Sequence, residues 1–297
     1  MDELKTNIIE KARTFSVEMF PPRTSEGMSK LDSVVRVLQR FRPEYLSVTY
    51  GAGGATKQGT RDLVRSFLER GINAVPHLSF GGTTDEEMRI ILDEYRAFGV
   101  GRIVVLRGDM PSGIGSLAQQ PHASDLVQFI RAETGEHFHI DVACYPETHP
   151  ESKSVITDIH YFKKKVKAGA NSAITQYFYN VDAYFEFISQ CQKEDIDVPI
   201  VPGIMPITNK ASLVKFSSVC GAEIPRWLKK RLETFENNND DLCKYGVEVV
   251  SRMCEKLFEG GAPGLHFYSM NRSDPIIAII ENLGFSAVSP QYNLENF

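Results

Sequence analysis

Short apolar segments rich in β-branched residues alternate with longer segments of helical periodicity along this 297-residue chain. Segments such as Phe15–Phe20 and Asn73–Leu78 are almost entirely apolar, which is typical of strands buried on both faces of a parallel sheet. The other predicted strands are Tyr45–Tyr50, Arg102–Arg107, His139–Tyr145, Ser172–Gln176, Pro199–Gly203 and Gly264–Phe267. Strands alternating with helices in this way predict an α/β fold, a (β/α)8 TIM barrel.

The segments between the strands carry helix-start and helix-end signals. Thr84 precedes three acidic residues, and Thr157 and Ser273 are each followed by an aspartate, so we predict these three residues as N-caps. The predicted helices are Ser29–Phe41, Thr60–Arg70, Asp85–Phe98, Ser124–Thr134, Thr157–Ala168, Val181–Lys193, Ala211–Val219 and Ser273–Leu283.

One region breaks the alternation. Ile224–Glu259 contains more than one helical segment, with a polar linker at Glu236–Asp241. We interpret it as extra helices inserted before the last strand. The chain is therefore predicted to be a single catalytic domain over residues 1–297, with a short N-terminal helix and an irregular C-terminal tail from Phe285.

Composition and charge exclude several classes of partner. The net charge is −5, so the chain has no basic field to hold nucleic acid or an anionic membrane. Its five cysteines are scattered without a C-x-x-C motif, which is typical of reduced thiols. No apolar segment is long enough for a signal peptide or a membrane span, so we expect a soluble cytoplasmic protein.

Glu18 is the single acidic residue in the apolar strand that ends at Pro21–Pro22. Burial disfavours the charged form of a carboxyl group and raises its pKa into the range where it can donate a proton at neutral pH. Glu18 is therefore a candidate general acid. The alternative is a strand-edge charge that faces water.

Polar residues also follow the other predicted strands, where each strand ends. Because the carboxyl ends of parallel strands meet at one rim of a barrel, we expect these side chains to line one pocket. They are Glu18, Thr49, His77, Arg107, Asp109, Tyr145, His149, Gln176, Asn271 and Arg272. Their mixture of polar and aromatic groups favours a large planar ligand with polar edges.

Other chemistries lack their motifs. The glycine-rich segment 51–56 has Thr56 at the third glycine position of a dinucleotide fingerprint, so it is either a plain turn or a loop that a ligand approaches closely. His137 and His139 share a strand face without a third ligand nearby, so we predict no metal site. The chain has no G-x-S-x-G nucleophile elbow.

Eight short motifs carry a resemblance to a known family. The most specific are Glu-Met-Phe-Pro-Pro-Arg at 18–23, Leu-Arg-Gly-Asp at 106–109 and His-Phe-Tyr-Ser-Met-Asn-Arg at 266–272. The others are at 47–52, 123–127, 145–151, 174–176 and 202–206. All eight motifs occur in the family's order and at its spacing. On these motifs the chain resembles the methylenetetrahydrofolate reductases from about Thr14 to Gly284.

The resemblance implies a (β/α)8 barrel that binds FAD without covalent attachment. Such an enzyme reduces 5,10-methylenetetrahydrofolate to 5-methyltetrahydrofolate with electrons from NADH or NADPH. Its two substrates react in turn in a ping-pong scheme. The resemblance also implies that this chain is the catalytic barrel alone and forms a homo-oligomer.

The resemblance assigns roles to residues at matching positions. Glu18 corresponds to the general acid that opens the methylene bridge, and Asp109 to the carboxylate that favours the developing cation and tunes the flavin. Gln176, Phe216 and Arg272 correspond to substrate-binding residues. The implied FAD-binding residues are Thr49, His77, Leu106, Arg107, Gly108, Asp109, Ala123, Tyr145, His149, Asp158, Lys164 and Lys165.

Some positions depart from the family pattern. His122, Tyr161 and Lys164 replace residues common among relatives, which alters the expected contacts to the FAD ribose and phosphates. The glycine-rich loop also differs, so the choice between NADH and NADPH stays open. Two alternatives remain: a flavin barrel that works mainly from methyl to methylene folate or with a partner-protein electron donor, and a non-catalytic folate-binding barrel.

Overall fold

The computed structural model describes residues 13–50, 57–107, 121–235 and 238–288. Within these ranges the eight predicted strands follow in the predicted order, with the seventh divided into two, and their outer bounds lie within two residues of the predicted ones. They are β1 (Phe15–Met19), β2 (Leu46–Val48), β3 (Ala74–Leu78), β4 (Arg102–Val105), β5 (His139–Cys144), β6 (Ser172–Thr175), β7 (Ile200–Val201), β8 (Gly203–Ile204) and β9 (Leu265–Tyr268).

The strands form one parallel sheet that closes on itself. Their order is β7-β6-β5-β4-β3-β2-β1-β9-β8. β7 pairs with β6 and β8 pairs with β9, while Pro202 alone separates β7 from β8. Because proline has no backbone N–H, one strand is divided into two halves that serve opposite neighbours. The α/β TIM-barrel prediction is confirmed.

Helices follow the strands, and two extra helices precede the last strand as predicted. The helices of the described ranges are α1 (Ser25–Gln39), α2 (Lys57–Glu69), α3 (Asp85–Ala97), α4 (Ala123–Thr134), α5 (Val155–Lys167), α6 (Val181–Lys193), α7 (Lys210–Cys220), α8 (Arg226–Glu233), α9 (Asn239–Glu259) and α10 (Asp274–Asn282). None of these helices is both long and apolar enough to cross a membrane.

The helix caps confirm one prediction and correct another. Thr84 caps α3 through a capping box with Glu87. The prediction of Thr157 as the cap of α5 is wrong, because Ser154 accepts the hydrogen bond from the backbone N–H of Thr157. A serine three residues upstream satisfies that N–H, so Thr157 lies inside the first turn. Ser273 occupies the N-cap position of α10, but its side chain makes no capping hydrogen bond.

Three predictions lie outside the described residues. They are the short N-terminal helix before residue 13, the glycine-rich loop at 51–56, and the part of the C-terminal tail beyond residue 288.

Alternation along the strands sorts side chains between the helix layer and the barrel interior. In β1, Val17 and Met19 are fully buried in the core that packs against the helices. Glu18, between them, points to the opposite face because successive strand residues alternate. The interior is filled by the cluster Tyr45, Val75, Val104 and Ile174.

A buried ion pair lies in the barrel near the amino ends of β4 and β5. Arg102 donates from Nε to Asp141 Oδ2 at 2.6 Å and from Nη2 to Oδ1 at 3.0 Å. Burial opposes ionisation of Asp141, but hydrogen bonds from His139, Arg102 and Ser172 outweigh it and lower its pKa to about 2. The pair therefore stays ionised, as a bidentate partner allows.

Gly203 permits a close crossing at the point where the barrel closes. A Cβ atom there would lie 2.1 Å from the backbone oxygen of Thr175 and 2.6 Å from the ring of Tyr268. The same oxygen accepts a 2.7 Å hydrogen bond from the Tyr268 hydroxyl. A side chain at residue 203 would therefore separate β8 from β6 and displace Tyr268.

We expect Gly203→Ala to lower the free energy of unfolding by roughly 2–4 kcal/mol, because backbone cannot yield to the added methyl group. Gly101→Ala is the matched control, since a Cβ at Gly101 meets nothing within 4 Å. Urea denaturation of both variants checks this. Equal stability of the two variants would contradict the assignment of Gly203 to the closure point.

Candidate active site

A cavity of about 610 Å³ opens at the carboxyl ends of the strands. Its volume lies within the range of small-molecule sites, and this end of a (β/α)8 barrel is where active sites occur. Eleven of the sequence-predicted residues line it: Glu18, Thr49, His77, Leu106, Arg107, Ala123, Tyr145, His149, Asp158, Lys165 and Gln176.

Glu18 reaches this cavity from β1. The strand places it beside Ser47 of β2 and Tyr268 of β9, and its side chain keeps 21% of its surface accessible. Among the described residues its carboxyl group makes no direct hydrogen bond, and the nearest basic atom is His77 Nε2 at 3.7 Å. The carboxyl group is thus accessible to a ligand and has no fixed partner.

Burial shifts the pKa values of Glu18 and His77 in opposite directions, and each shift favours the neutral form of the side chain. Burial raises the pKa of Glu18 to about 8 and lowers the pKa of His77 to about 4. At pH 7 the contact is therefore between a protonated acid and a neutral imidazole, and is not an ion pair. A neutral carboxyl group at the edge of a cavity can donate a proton to a bound molecule.

Three buried polar atoms of the cavity-lining residues have no hydrogen-bond partner among the described residues: His77 Nε2, Thr49 Oγ1 and the Tyr50 hydroxyl oxygen. A buried polar atom without a partner costs about 1–3 kcal/mol. Each atom is a candidate contact for a polar edge of a ligand.

Cationic side chains border the other side of the site. Arg107 lies at the end of β4 and pairs with Glu151 at 2.7 Å. Lys165 donates from Nζ to the Ala143 carbonyl oxygen, and burial lowers the pKa of its ammonium group. Burial also raises the pKa of neighbouring Asp158, whose Oδ2 accepts a 3.0 Å hydrogen bond from the backbone N–H of His149. These cations suit an anionic group such as a phosphate.

Aromatic side chains add flat surfaces to the rim. His122 and Tyr161 stack with ring centroids 5.4 Å apart, and both line the cavity. Tyr145 meets His149 edge to face at 4.5 Å. Two of the three side-chain departures from the family pattern, His122 and Tyr161, are thus in contact with each other at this cavity.

Four predicted residues of the described ranges do not line the cavity: Lys164, Phe216, Asn271 and Arg272. Lys164 lies outside it, with Nζ 5.3 Å from the centre of the Tyr161 ring. Phe216 is half-buried on α7 and packs against the hydrophobic core. Asn271 and Arg272 border a separate depression of about 520 Å³ between α1 and the start of α10, so the expectation that they line the strand-end cavity is wrong. Gly108 and Asp109 lie outside the described residues.

Several cavity residues were not among the predicted ones. His266 and Tyr268 line the cavity, and they alternate in β9 with buried Leu265 and Phe267. This alternation was a usable signal, because the two polar rings occupy the inward face of a strand. Ser79, directly after β3, and Glu151, in the loop between β5 and α5, also line the site, but no periodicity marks them.

Together the fold and site define a (β/α)8-barrel protein whose cavity offers a neutral carboxyl group and cationic side chains to one ligand. Residues 3–284 match the family model described as methylenetetrahydrofolate reductase. The chain belongs to the methylenetetrahydrofolate reductase family and is therefore an enzyme, an oxidoreductase. The resemblance carried by the sequence motifs is confirmed.

Similar proteins cover nearly the whole chain. The 5,10-methylenetetrahydrofolate reductase of Salmonella typhimurium is 38% identical over 270 residues, which are 91% of this chain and 90% of that protein. The protein of that name from Escherichia coli K12 matches with the same identity and coverage. The Arabidopsis thaliana methylenetetrahydrofolate reductase (NADH) 1 is 34% identical over 96% of this chain and 50% of its own length.

A solved structure shares the fold at low identity. An uncharacterised protein from Clostridium thermocellum that binds two copies of 5-methyl-5,6,7,8-tetrahydrofolic acid superposes with a TM-score of 0.64. It is 18% identical, and the match covers 92% of this chain and 94% of that one. This similarity supports the barrel fold alone.

We expect Glu18→Gln to stabilise the protein more at pH 8 than at pH 5. The pKa of Glu18 rises on folding from 4.5 to about 8. Between these two pH values unfolding releases the proton of Glu18, so the wild type loses stability as pH rises. At pH 8 the variant should gain roughly 1–3 kcal/mol, because an amide pays no ionisation penalty.

Denaturation of both proteins at the two pH values measures this difference. Glu26→Gln, on an exposed helix position, controls for replacing a carboxyl group with an amide. A gain at pH 8 no larger than that at pH 5 would contradict a raised pKa at Glu18.

Proposed function

We propose that this protein reduces 5,10-methylenetetrahydrofolate to 5-methyltetrahydrofolate with electrons from NADH or NADPH, using FAD bound in the 610 Å³ cavity. In this proposal, residues 1–297 form a single catalytic barrel domain. The family membership and the 38%-identical relatives named 5,10-methylenetetrahydrofolate reductase support the reaction. The observation that carries it is the Glu18 carboxyl group at the cavity, which makes no hydrogen bond to any described residue and whose pKa burial raises to about 8, because opening the methylene bridge requires a proton donor.

The described residues fit a flavin dinucleotide. The unpaired atoms His77 Nε2 and Thr49 Oγ1 offer partners for a polar ring edge. Arg107 and Lys165 offer two cations for a diphosphate, and the His122–Tyr161 stack offers an aromatic surface. When bound, FAD supplies hydride transfer between the nicotinamide and the folate.

Glu18 provides the acid step in this proposal. Its proton goes to the bridge nitrogen that leaves, the carbon–nitrogen bond to that atom breaks, and the other nitrogen shares its electron pair to form the 5-iminium cation. The carboxylate left behind lies beside this cation and stabilises it. Because the Glu18 carboxyl group has no hydrogen bond to any described residue, no such bond must break before its proton passes to the substrate.

The remaining assignments concern binding. Gln176 lines the cavity, and its Oε1 accepts a 3.0 Å hydrogen bond from the Tyr177 N–H, which leaves its NH₂ group as a donor for the folate. Asp109 is proposed to favour the cation electrostatically. Phe216 and Arg272 are proposed to contact the substrates from outside the cavity described above.

Two other functions make different demands on the site. The same barrel could work mainly from methyl to methylene folate, or take electrons from a partner protein. Assays in both directions with NADH, NADPH and a quinone acceptor separate these schemes. A non-catalytic folate-binding barrel would have no use for a buried acid that lacks a hydrogen-bond partner, and absence of nicotinamide oxidation in the FAD-loaded protein would favour it.

We expect Glu18→Gln to abolish folate reduction while nicotinamide–quinone activity stays within about twofold, because only the folate step needs the acid. In the wild type, the rate constant of folate reduction should fall as pH rises through the pKa of Glu18, about 8 in the ligand-free protein. Stopped-flow measurement of each half-reaction across pH tests both statements. Equal losses in the two half-reactions would show that Glu18 has another role.

Lys164 and Lys165 provide a matched pair for the cofactor assignment. We expect Lys165→Met to weaken FAD binding about tenfold or more, because Lys165 lines the cavity, whereas Lys164→Met should change it less than about threefold. Fluorescence titration of the apoprotein with FAD gives both affinities. A larger loss in the Lys164 variant would contradict the assignment of the cavity to the cofactor.

A further inference from the structure

The backbone after β1 is held by a side chain. Phe20 follows β1 and precedes Pro21 and Pro22, neither of which has an N–H to extend the sheet. The Phe20 N–H donates to Asn271 Oδ1 at 3.0 Å, and Asn271 Nδ2 donates to the Phe20 carbonyl oxygen at 2.8 Å. The amide group of Asn271 thus takes the place of a neighbouring strand residue.

The side chain of Ser269 holds the same segment at Glu18, two residues before Phe20. Its hydroxyl group donates to the carbonyl oxygen of Glu18 and accepts a 3.0 Å hydrogen bond from the Asn271 N–H. The side chain of Ser269 is buried. Ser269 and Asn271, here called the clamp, therefore fix the backbone on both sides of Met19.

The clamp requires an unfavourable backbone. Met270 and Asn271 have φ angles of 50° and 54°, in the left-handed region. Each such residue other than glycine costs on the order of 1 kcal/mol or more, although asparagine tolerates the region better than methionine. Strain of this kind persists where the surrounding contacts determine the conformation, and it is common at functional sites.

Closure of the barrel does not need the clamp. β1 already pairs with β2 through Met19 and with β9 through Glu18. The clamp acts beyond these ladders, on the segment that carries Glu18 into the cavity. Since the Glu18 carboxyl group has no hydrogen bond among the described residues, its position depends on its backbone and packing alone.

We propose that Asn271 and Ser269 are positioning residues that hold the Glu18 carboxyl group at the cavity and keep it shielded from water. This inference rests on the proposed role of Glu18 as the acid. It assigns to the loop after β9 a part in the folate step alone, because nicotinamide oxidation does not use the acid.

Asn271→Gly tests the clamp without adding backbone strain. Glycine adopts the left-handed backbone freely but removes both hydrogen bonds to Phe20. Met270→Gly is the matched control, because it relieves the same kind of strain and leaves both hydrogen bonds in place. Single-turnover reduction of the FAD-loaded enzyme by nicotinamide, and its reoxidation by saturating methylenetetrahydrofolate, are measured for each variant across pH.

We expect Asn271→Gly to slow the folate half-reaction about tenfold or more, since loss of precise placement is costly, and to leave nicotinamide oxidation within about twofold. The pH at which folate reduction declines should also move down, because water reaching Glu18 brings its pKa toward the ordinary value. Met270→Gly should change neither half-reaction by more than about twofold and should leave the pH profile in place.

Two results would overturn the inference: equal slowing of both half-reactions by Asn271→Gly, or an unmoved pH profile. Glu18→Gln, measured in parallel, separates this failure from that of the proposed function. Full folate reduction by Glu18→Gln would reject the acid role and the clamp together. Loss of folate reduction in Glu18→Gln, with wild-type behaviour in Asn271→Gly, would reject the clamp alone.

Discussion

A carboxyl group buried without a charged partner is the constraint on which the site depends. Water would stabilise the ionised form of Glu18, and the barrel removes most of that water, while the described residues supply neither a cation nor a hydrogen bond to the carboxyl group in return. The neighbouring His77 is neutral for the same reason, because burial lowers the pKa of its imidazole. Glu18 therefore keeps its proton at neutral pH, which an exposed glutamate would not do.

In the barrel, the neutral side chains of Glu18 and His77 lie apart from the charged side chains. The Arg102–Asp141 ion pair lies near the amino ends of the strands, and the cations Arg107 and Lys165 lie on the rim away from β1. A cation in contact with Glu18 would lower its pKa and remove the acid. The arrangement thus allows one cavity to bind an anionic ligand and to present a protonated carboxyl group.

Much of the fold could be predicted from the sequence because burial on both faces gives each strand an unbroken apolar segment. Glu18 stood out in the sequence as the one acid of its apolar strand, and the structure places it on the face opposite Val17 and Met19. The division of one strand at Pro202 was not predictable, because it depends on which neighbours each half meets across the closed sheet.

The site was predicted less completely, for reasons of geometry. Lys164 and Lys165 are adjacent in sequence, but consecutive helical residues point about 100° apart, so only one of them lines the cavity. His266 and Tyr268 carried a strand-alternation signal that was not used. The hydrogen bonds of Asn271 carried none, because a left-handed turn of Met270 and Asn271 brings together residues 251 apart in the chain.

The central claim is that Glu18 is protonated at neutral pH, and a direct titration of its carboxyl group tests it. Carbon-13 NMR of protein labelled at glutamate side-chain carboxyl carbons, with Glu18→Gln used to assign the resonance, follows this one group across pH. The account predicts a transition near pH 8 in the ligand-free protein. A transition near the ordinary glutamate value of 4.5 would contradict it.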